Sequence, residues 1–314
     1  MGETTDRQMI DPQEVPRFAG IPTFMRAEHV TDLEGSEADI AVVGTPFDDA
    51  TTYRPGARFG PRAIRAASTL LKPYNPNTDT DLGDVTLVDH GDVATVPGYI
   101  ERTFEEIRAR IEYVLECGVT PAILGGDHST TLPVLRAVAD EHGPVGLVQF
   151  DAHSDLWTEY FGEPYNHGTS MHYAIEEGLI DPDRSIRIGD RGGLYGKEDL
   201  EMLEASGIEY HTIEEFSRQG VETMCDRIGA VTDGPTFATI DIDAVDPAFA
   251  PGTGTPMAGG MSSREILRLT RALVDTELVG FDLVEVSPLY DSDGATAVLA
   301  ANIAFEALSA LIAE

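Results

Sequence analysis

Val145-Gly146-Leu147-Val148-Gln149-Phe150-Asp151-Ala152-His153-Ser154-Asp155 is the stretch on which the fold turns. Its first six residues are almost continuously apolar, as in a strand buried on both faces. Its last five are polar, and such a strand would carry them out beyond its carboxyl end. In an extended chain, side chains two residues apart point the same way, ~6.6 Å apart per step. Asp151, His153 and Asp155 can therefore face one point and share a cation. The same residues also suit an ordinary polar loop after a strand.

Moving outward, the pattern repeats. Short β-rich apolar runs at Ile40–Gly44, Val85–Val88, Ala122–Leu124, Ser185–Ile188, Thr236–Ile240 and Leu278–Val284 predict further strands. Helical periodicity predicts helices at Ile100–Glu116, Thr130–His142, Ser170–Gly178, Lys197–Ser206, Val221–Val231, Ser262–Val274 and Thr296–Ile312. Apolar strands alternating with helices indicate an α/β protein with a parallel sheet covered on both faces. There is no internal repeat and no shift in composition, so residues 1–314 read as one domain. Residues 1–38, broken by Pro12, Pro16 and Pro22, read as an irregular N-terminal arm.

Two more of these strands end in chemistry. Thr236–Ile240 closes with Asp241-Ile242-Asp243, again two carboxylates on one face, followed by Asp246-Pro247 and the tight run Ala250-Pro251-Gly252-Thr253-Gly254-Thr255-Pro256. Buried carboxylates side by side repel one another and lose their solvation unless a cation lies between them. Ala122–Leu124 closes with Gly125-Gly126-Asp127-His128-Ser129, where paired glycines permit a sharp turn and Asp127 or Ser129 can cap the next helix. Alone, His128 reads more readily as a hydrogen-bonded turn residue than as a metal ligand. In open α/β sheets ligands bind outside the carboxyl ends of the strands, and all three clusters fall there. Together they offer two imidazoles and four carboxylates. That set suits Mn²⁺ or Zn²⁺ without thiolate, and it exceeds what one divalent ion needs. Two ions about 3.5–4 Å apart would use it fully.

Composition narrows the partners. With 21 Lys+Arg against 55 Asp+Glu, the net charge is −34, which repels nucleic acid and anionic membranes and attracts cations. The acids are spread along the whole chain, so solvation in high salt explains them better than substrate steering; a halophilic source would account for them. Two cysteines, Cys117 and Cys225, are too few for a disulfide framework. Met1–Glu14 lacks an apolar signal region, and no run approaches the ~20 apolar residues of a membrane span, so a soluble, cytoplasmic protein is expected.

Gly125-Gly126-Asp127-His128-Ser129, Asp151-Ala152-His153-Ser154-Asp155 and Thr239-Ile240-Asp241-Ile242-Asp243 with its Pro/Gly loop resemble the signatures of the arginase–agmatinase ureohydrolases. So do Gly56–Arg65 and Asp282–Pro288, and the resemblance spans nearly the whole chain. It implies a three-layer α/β/α fold around a central parallel sheet, two Mn²⁺ per chain, and a homo-oligomer, trimer or hexamer. It places His128 and Asp155 on one manganese, His153 and Asp243 on the other, and Asp151 and Asp241 on both, with Asp246 orienting ligands or backbone. Two such cations would lower the pKa of water enough to supply hydroxide near neutral pH. Asp155 would take up a proton and deliver it to the departing nitrogen. Glu285 matches the family carboxylate that pairs with the guanidinium, and His167 the family proton shuttle. His172 reads as structural or exposed.

The resemblance implies hydrolysis of a small cationic guanidino compound to urea and an amine. Residues 156–165, with Trp157, Tyr160, Phe161 and Tyr165, differ from the polar loop with which arginases hold an α-amino acid. That loop carries Glu159 and Glu163 and no basic residue, which favours agmatine, whose far end is an ammonium. The segments 16–26 and 72–76 resemble a subgroup that includes guanidinobutyrases and guanidine hydrolases, so a guanidino acid or guanidine itself is the alternative. Met171 and Asp190 depart from common residues and are expected near the substrate tail, where Arg191 could meet a carboxylate. A one-zinc deacetylase relative would leave carboxylates uncompensated, and a non-catalytic metal-binding protein would not need His167 and Glu285.

Overall fold

The computed structural model describes Ile10 and residues 13–313; most of the Met1–Glu14 run therefore lies outside the described residues. Its strands, in chain order, are β1 (Glu28–His29), β2 (Ile40–Gly44), β3 (Tyr74–Asn75), β4 (Thr80–Asp81), β5 (Leu87–Asp92), β6 (Thr120–Leu124), β7 (Gly146–Phe150), β8 (Ile186–Ile188), β9 (Glu209–His211), β10 (Pro235–Asp241) and β11 (Glu277–Val284). The helices are α1 (Gly60–Ser68), α2 (Ile100–Glu116), α3 (Thr131–His142), α4 (Ser170–Glu176), α5 (Lys197–Ala205), α6 (Ile213–Gln219), α7 (Val221–Val231), α8 (Ser263–Arg271) and α9 (Ala295–Leu311). Nine strands make one sheet in the order β1-β5-β2-β6-β11-β10-β7-β8-β9, every pair parallel, while β3 and β4 form a separate small antiparallel pair.

Period-two alternation divides each strand between two cores. Ile40 and Val42 of β2, Val148 and Phe150 of β7, and Ala238 and Ile240 of β10 face the side covered by α1 and α6–α9. Ala41 and Val43, Leu147, and Phe237 face the side covered by α2–α5. The result is a three-layer α/β/α fold with a central parallel sheet, as expected. The helix of widest contact, α9, is apolar all round and buried through most of its length, which matches its place under the sheet centre.

The N-terminal arm is less irregular than its prolines imply. Glu28 and His29 add an edge strand beside Val88 and Asp89, and Phe24 and Met25 are buried. Two residues are too few to show a periodicity. The strand expected at Val85–Val88 runs later, through His90 and Asp92, because pairing with β2 extends it past its apolar part. The helix expected at Ser262–Val274 is α8, opened by a reciprocal Ser262/Glu265 capping box, and then tightens into a 3₁₀ turn, Ala272–Asp275. Cys117 and Cys225 are both free thiols. No helix of the described residues is long and apolar enough to cross a membrane.

Candidate metal centre

Four neighbouring strands at the middle of the sheet, β6, β11, β10 and β7, deliver the polar clusters to one place. After β6 the chain turns at Gly125-Gly126. A Cβ on Gly126 would lie 1.9 Å from the carbonyl oxygen of Phe47, so only glycine lets the loop after β2 press against the turn. Asp127 rather than Ser129 caps the following 3₁₀ turn, accepting from the Ser129 N–H at 3.0 Å and from the Ala50 N–H at 3.1 Å. This fixes His128, whose own N–H donates to Glu285 Oε1 at 3.0 Å.

His128 Nδ1 lies 3.1 Å from Asp151, 2.8 Å from Asp155 and 3.3 Å from Asp241. Despite three carboxylate oxygens this close, the buried nitrogen makes no hydrogen bond of acceptable geometry. Its other nitrogen, Nε2, is held by Thr239 Oγ1 at 2.9 Å. His153 Nδ1 lies 3.0 Å from Asp243 and 3.7 Å from Asp151. His128, Asp151 and Asp155 thus offer ligand atoms to one point, and Asp151, His153 and Asp243 to a second. Asp241 reaches the first through His128 and orders the second by accepting the Asp243 N–H at 2.8 Å.

Asp151, His153 and Asp155 do not all face one point, as an extended segment would have them. The chain bends after Asp151, and Asp155 sits in the left-handed region at φ +53°, which sends Asp155 to His128 and His153 to Asp243. Asp151 is shared between the two groups.

The electrostatics show what the donor set lacks. Burial, then the charges of Asp155 and its neighbours, pushes Asp151 up to about 6. Burial, with Asp243 and Asp151, raises Asp241 well above the carboxylate range. Burial opposes protonation of both imidazoles, yet the carboxylates outweigh it, raising His128 strongly and His153 to about 11. Asp243 goes the other way, held ionised by His153 against its burial. Without a cation, Asp151 and Asp241 are pushed towards binding protons to coexist with it. Oxygen and imidazole donors with unspent negative charge and an orphaned Nδ1 fit two divalent cations.

Glu285 and His167 stand beside this centre. Glu285, also at positive φ, is buried; its Oε1 meets His167 Nδ1 at 2.9 Å, and its Oε2 has no partner. His167 Nε2 receives the Thr52 N–H at 3.0 Å and lies 2.8 Å from the Thr52 hydroxyl. The Thr52 N–H favours a ring protonated on Nδ1 alone. The charge of Glu285 pulls the other way: against the effect of burial, it raises the His167 pKa to about 9. The charge and the hydrogen-bond geometry thus favour opposite protonation states of this ring.

Two expectations fail here, those for Met171 and Arg191, and the structure places the remaining residues. Met171 is fully buried in the core under α4 and cannot reach a substrate tail. Arg191 is not free for a carboxylate: its guanidinium donates to the backbone carbonyls of Asp243, Ala244 and Met257, among others. Asp190 lines a cavity beside His153 and Trp157, but both its oxygens are taken by Arg187. Asp246 accepts backbone N–H groups from Ala248, Gly259 and Gly260 and so shapes the loop after β10. His172 is half-buried against Tyr173. Residues missed from sequence include Thr52, Gln149 and Arg187. The signal for the last two was a long polar side chain inside an otherwise apolar strand.

A parallel sheet with a two-cation donor set at its carboxyl edge fits a class, the metal-dependent hydrolases that activate water. Residues 38–310 match the arginase family, and the chain belongs to it. It is 42% identical over 303 residues to the proclavaminate amidinohydrolase of Streptomyces clavuligerus, covering 96% of both chains. The solved structure of that enzyme superposes with a TM-score of 0.89, covering 94% of this chain and 98% of that one. It is 44% identical to guanidinopropionase of Pseudomonas aeruginosa (97% and 96% covered) and 40% identical to agmatinase of Chromobacterium violaceum (93% and 88% covered). The protein is therefore a ureohydrolase.

Proposed function

We propose that this protein hydrolyses agmatine to urea and putrescine with two Mn²⁺ held by His128, Asp151, His153, Asp155, Asp241 and Asp243. When bound, such a pair supplies Lewis-acid activation of water at neutral pH. The observation that carries the reading is the unpartnered, buried Oε2 of Glu285. A lone buried carboxylate oxygen calls for a cationic hydrogen-bond donor, and a guanidinium is one. Asp155 accepts the proton lost by the attacking water. The departing amine must leave protonated, and Asp155 returns that proton to it as the C–N bond breaks. His167, joined to Glu285 and Thr52, relays protons between the site and solvent.

The substrate tail has a route outward past Thr52, which touches His167. Thr52 lines a cavity of about 520 Å³ with Asp49, Glu101, Glu163, Tyr99, Tyr160 and Arg102 among its walls. Asp49 is already paired with Arg58, which leaves Glu101 and Glu163 against one guanidinium, with aromatic rings between, and these favour a cationic tail. Arg102 in the same wall, and a relative named guanidinopropionase, support a second reading in which the tail is a carboxylate. Urea release should be compared for agmatine, guanidinobutyrate, guanidinopropionate, arginine and guanidine, with Mn²⁺ at low and high salt. Agmatine should have the highest kcat/KM; preference for a guanidino acid would replace the first reading with the second. We also infer a homo-oligomer, trimer or hexamer, which light scattering would test.

A further inference from the structure

Four consecutive carbonyls of the loop that carries Asp155 are each held by a donor. Ala152 O accepts the Arg191 N–H at 3.1 Å, and Asp155 O accepts those of Met171 and His172 at 3.1 and 3.2 Å. The two between, His153 O and Ser154 O, accept from one side chain: the guanidinium of Arg187, at 2.6 and 2.8 Å. The same guanidinium binds Asp190 twice, at 3.0 and 2.9 Å. Arg187 is 1% exposed, an unusual place for a charge unless it is fully paired. Its position in the sheet is equally specific. Arg187 of β8 pairs with Gln149 of β7, Gln149 with Thr239 of β10, and Thr239 with Asp282 of β11. One buried polar row thus crosses four strands just below the metal centre. From it, Gln149 donates to Asp151 at 2.9 Å and Thr239 meets His128 at 2.9 Å.

We propose that Arg187, held by Asp190, is a positioning residue of the metal centre. It fixes the peptide planes after His153 and Ser154, and so aims the His153 ring at one cation and the Asp155 carboxylate at the other. Asp155 is in a left-handed conformation that a non-glycine residue keeps only where its surroundings over-determine it. Arginine suits the task because its planar fork can serve two carbonyls and a bidentate carboxylate at once; the three donors of a lysine cannot reproduce that fork. Asp190 supplies the charge that lets the guanidinium stay buried. The inference rests on the site being a two-cation centre.

The test is Mn²⁺ titration of the chelator-stripped full-length chain by calorimetry, with thermal unfolding and agmatine turnover alongside. R187M should bind Mn²⁺ at least about tenfold more weakly, as is usual when support of a metal ligand is lost. R187K and D190N should fall between it and the wild type. At saturating Mn²⁺, kcat should fall while KM stays within about twofold. R184M is the control. Arg184 clamps backbone at the opposite end of the same strand, through Pro144 O at 2.6 Å, so its loss should lower Tm and leave Mn²⁺ affinity unchanged. The inference is overturned if R187M or D190N, whichever folds, takes up two Mn²⁺ with wild-type affinity and keeps wild-type kcat. It is equally overturned if R184M weakens Mn²⁺ as much as they do. A wild-type chain that binds no Mn²⁺ removes the reading of the site, and this inference with it.

Discussion

Replacing Glu285 with glutamine changes one atom and one charge at the point where the substrate cation should sit. The wild-type side chain spends Oε1 on the His128 N–H and on His167 Nδ1, and leaves Oε2 buried without a partner. The glutamine carbonyl can keep the Oε1 contacts, so the fold should survive. Its amide then points two N–H donors at a guanidinium that has only donors to offer. A hydrogen bond to a charged group is worth about 1.5–3 kcal/mol, so kcat/KM should fall by roughly 10- to 150-fold, towards the upper end because of the donor clash. Urea release with Mn²⁺ measures this. A second readout isolates the cause. The Glu285 charge is the largest influence raising the His167 pKa to about 9 against the effect of burial. In metal-stripped E285Q, the His167 ring resonances should titrate well below about 9, because burial is then opposed only by Asp127 and Asp155. A variant that keeps kcat/KM within about threefold of wild type, less than one charged hydrogen bond is worth, would refute the placement of the guanidinium.

Three further outcomes are expected. Asp151 at about 6, Asp127 at about 7 and His167 at about 9 all bind protons more tightly folded than unfolded, so their contribution to the metal-free protein is present at low pH and lost as pH rises through those values. The Tm gain on adding Mn²⁺ should therefore be larger at about pH 8 than at about pH 5, and a gain independent of pH would contradict the electrostatics described. Gly189 lies at φ +127° with an added Cβ only 2.4 Å from the Asp151 carbonyl oxygen; Gly189→Ala should cost about 1–3 kcal/mol in backbone strain and about as much again in overpacking, read as a fall in the denaturation midpoint. With a net charge of −34, the protein should gain several degrees in Tm between about 0.1 and 2 M KCl, and a flat salt profile would show that the acids do not repel one another enough to matter.

Much of the fold was legible because it is written locally. Apolar runs such as Val145–Phe150 followed by helical periodicity state a parallel sheet with two covered faces, and ligands at strand ends follow from that. The arm's edge strand was not legible: Glu28 and His29 become a strand only because β5 is beside them. The same distinction separates Met171 and Arg191 from their expected places near the substrate. A position in a motif says which residue type stands there, but the burial of one face of α4 or capture by the carbonyls after β10 is decided by other parts of the chain.

By itself the sequence determined the chemistry available: two imidazoles and four carboxylates at strand carboxyl ends, with Glu285 at a further strand end and His167 in a loop. These are properties of residue type and short-range period, which need no knowledge of what lies opposite. Only the tertiary structure decided how that chemistry is shared out. It sends His153 and Asp155 to different cation positions, joins His128 to Glu285 across 157 residues and Thr52 to His167 across 115, and places Arg187 under the metal loop. Such contacts depend on which strands become neighbours. That order is fixed by the packing of the whole sheet, and no single segment encodes it.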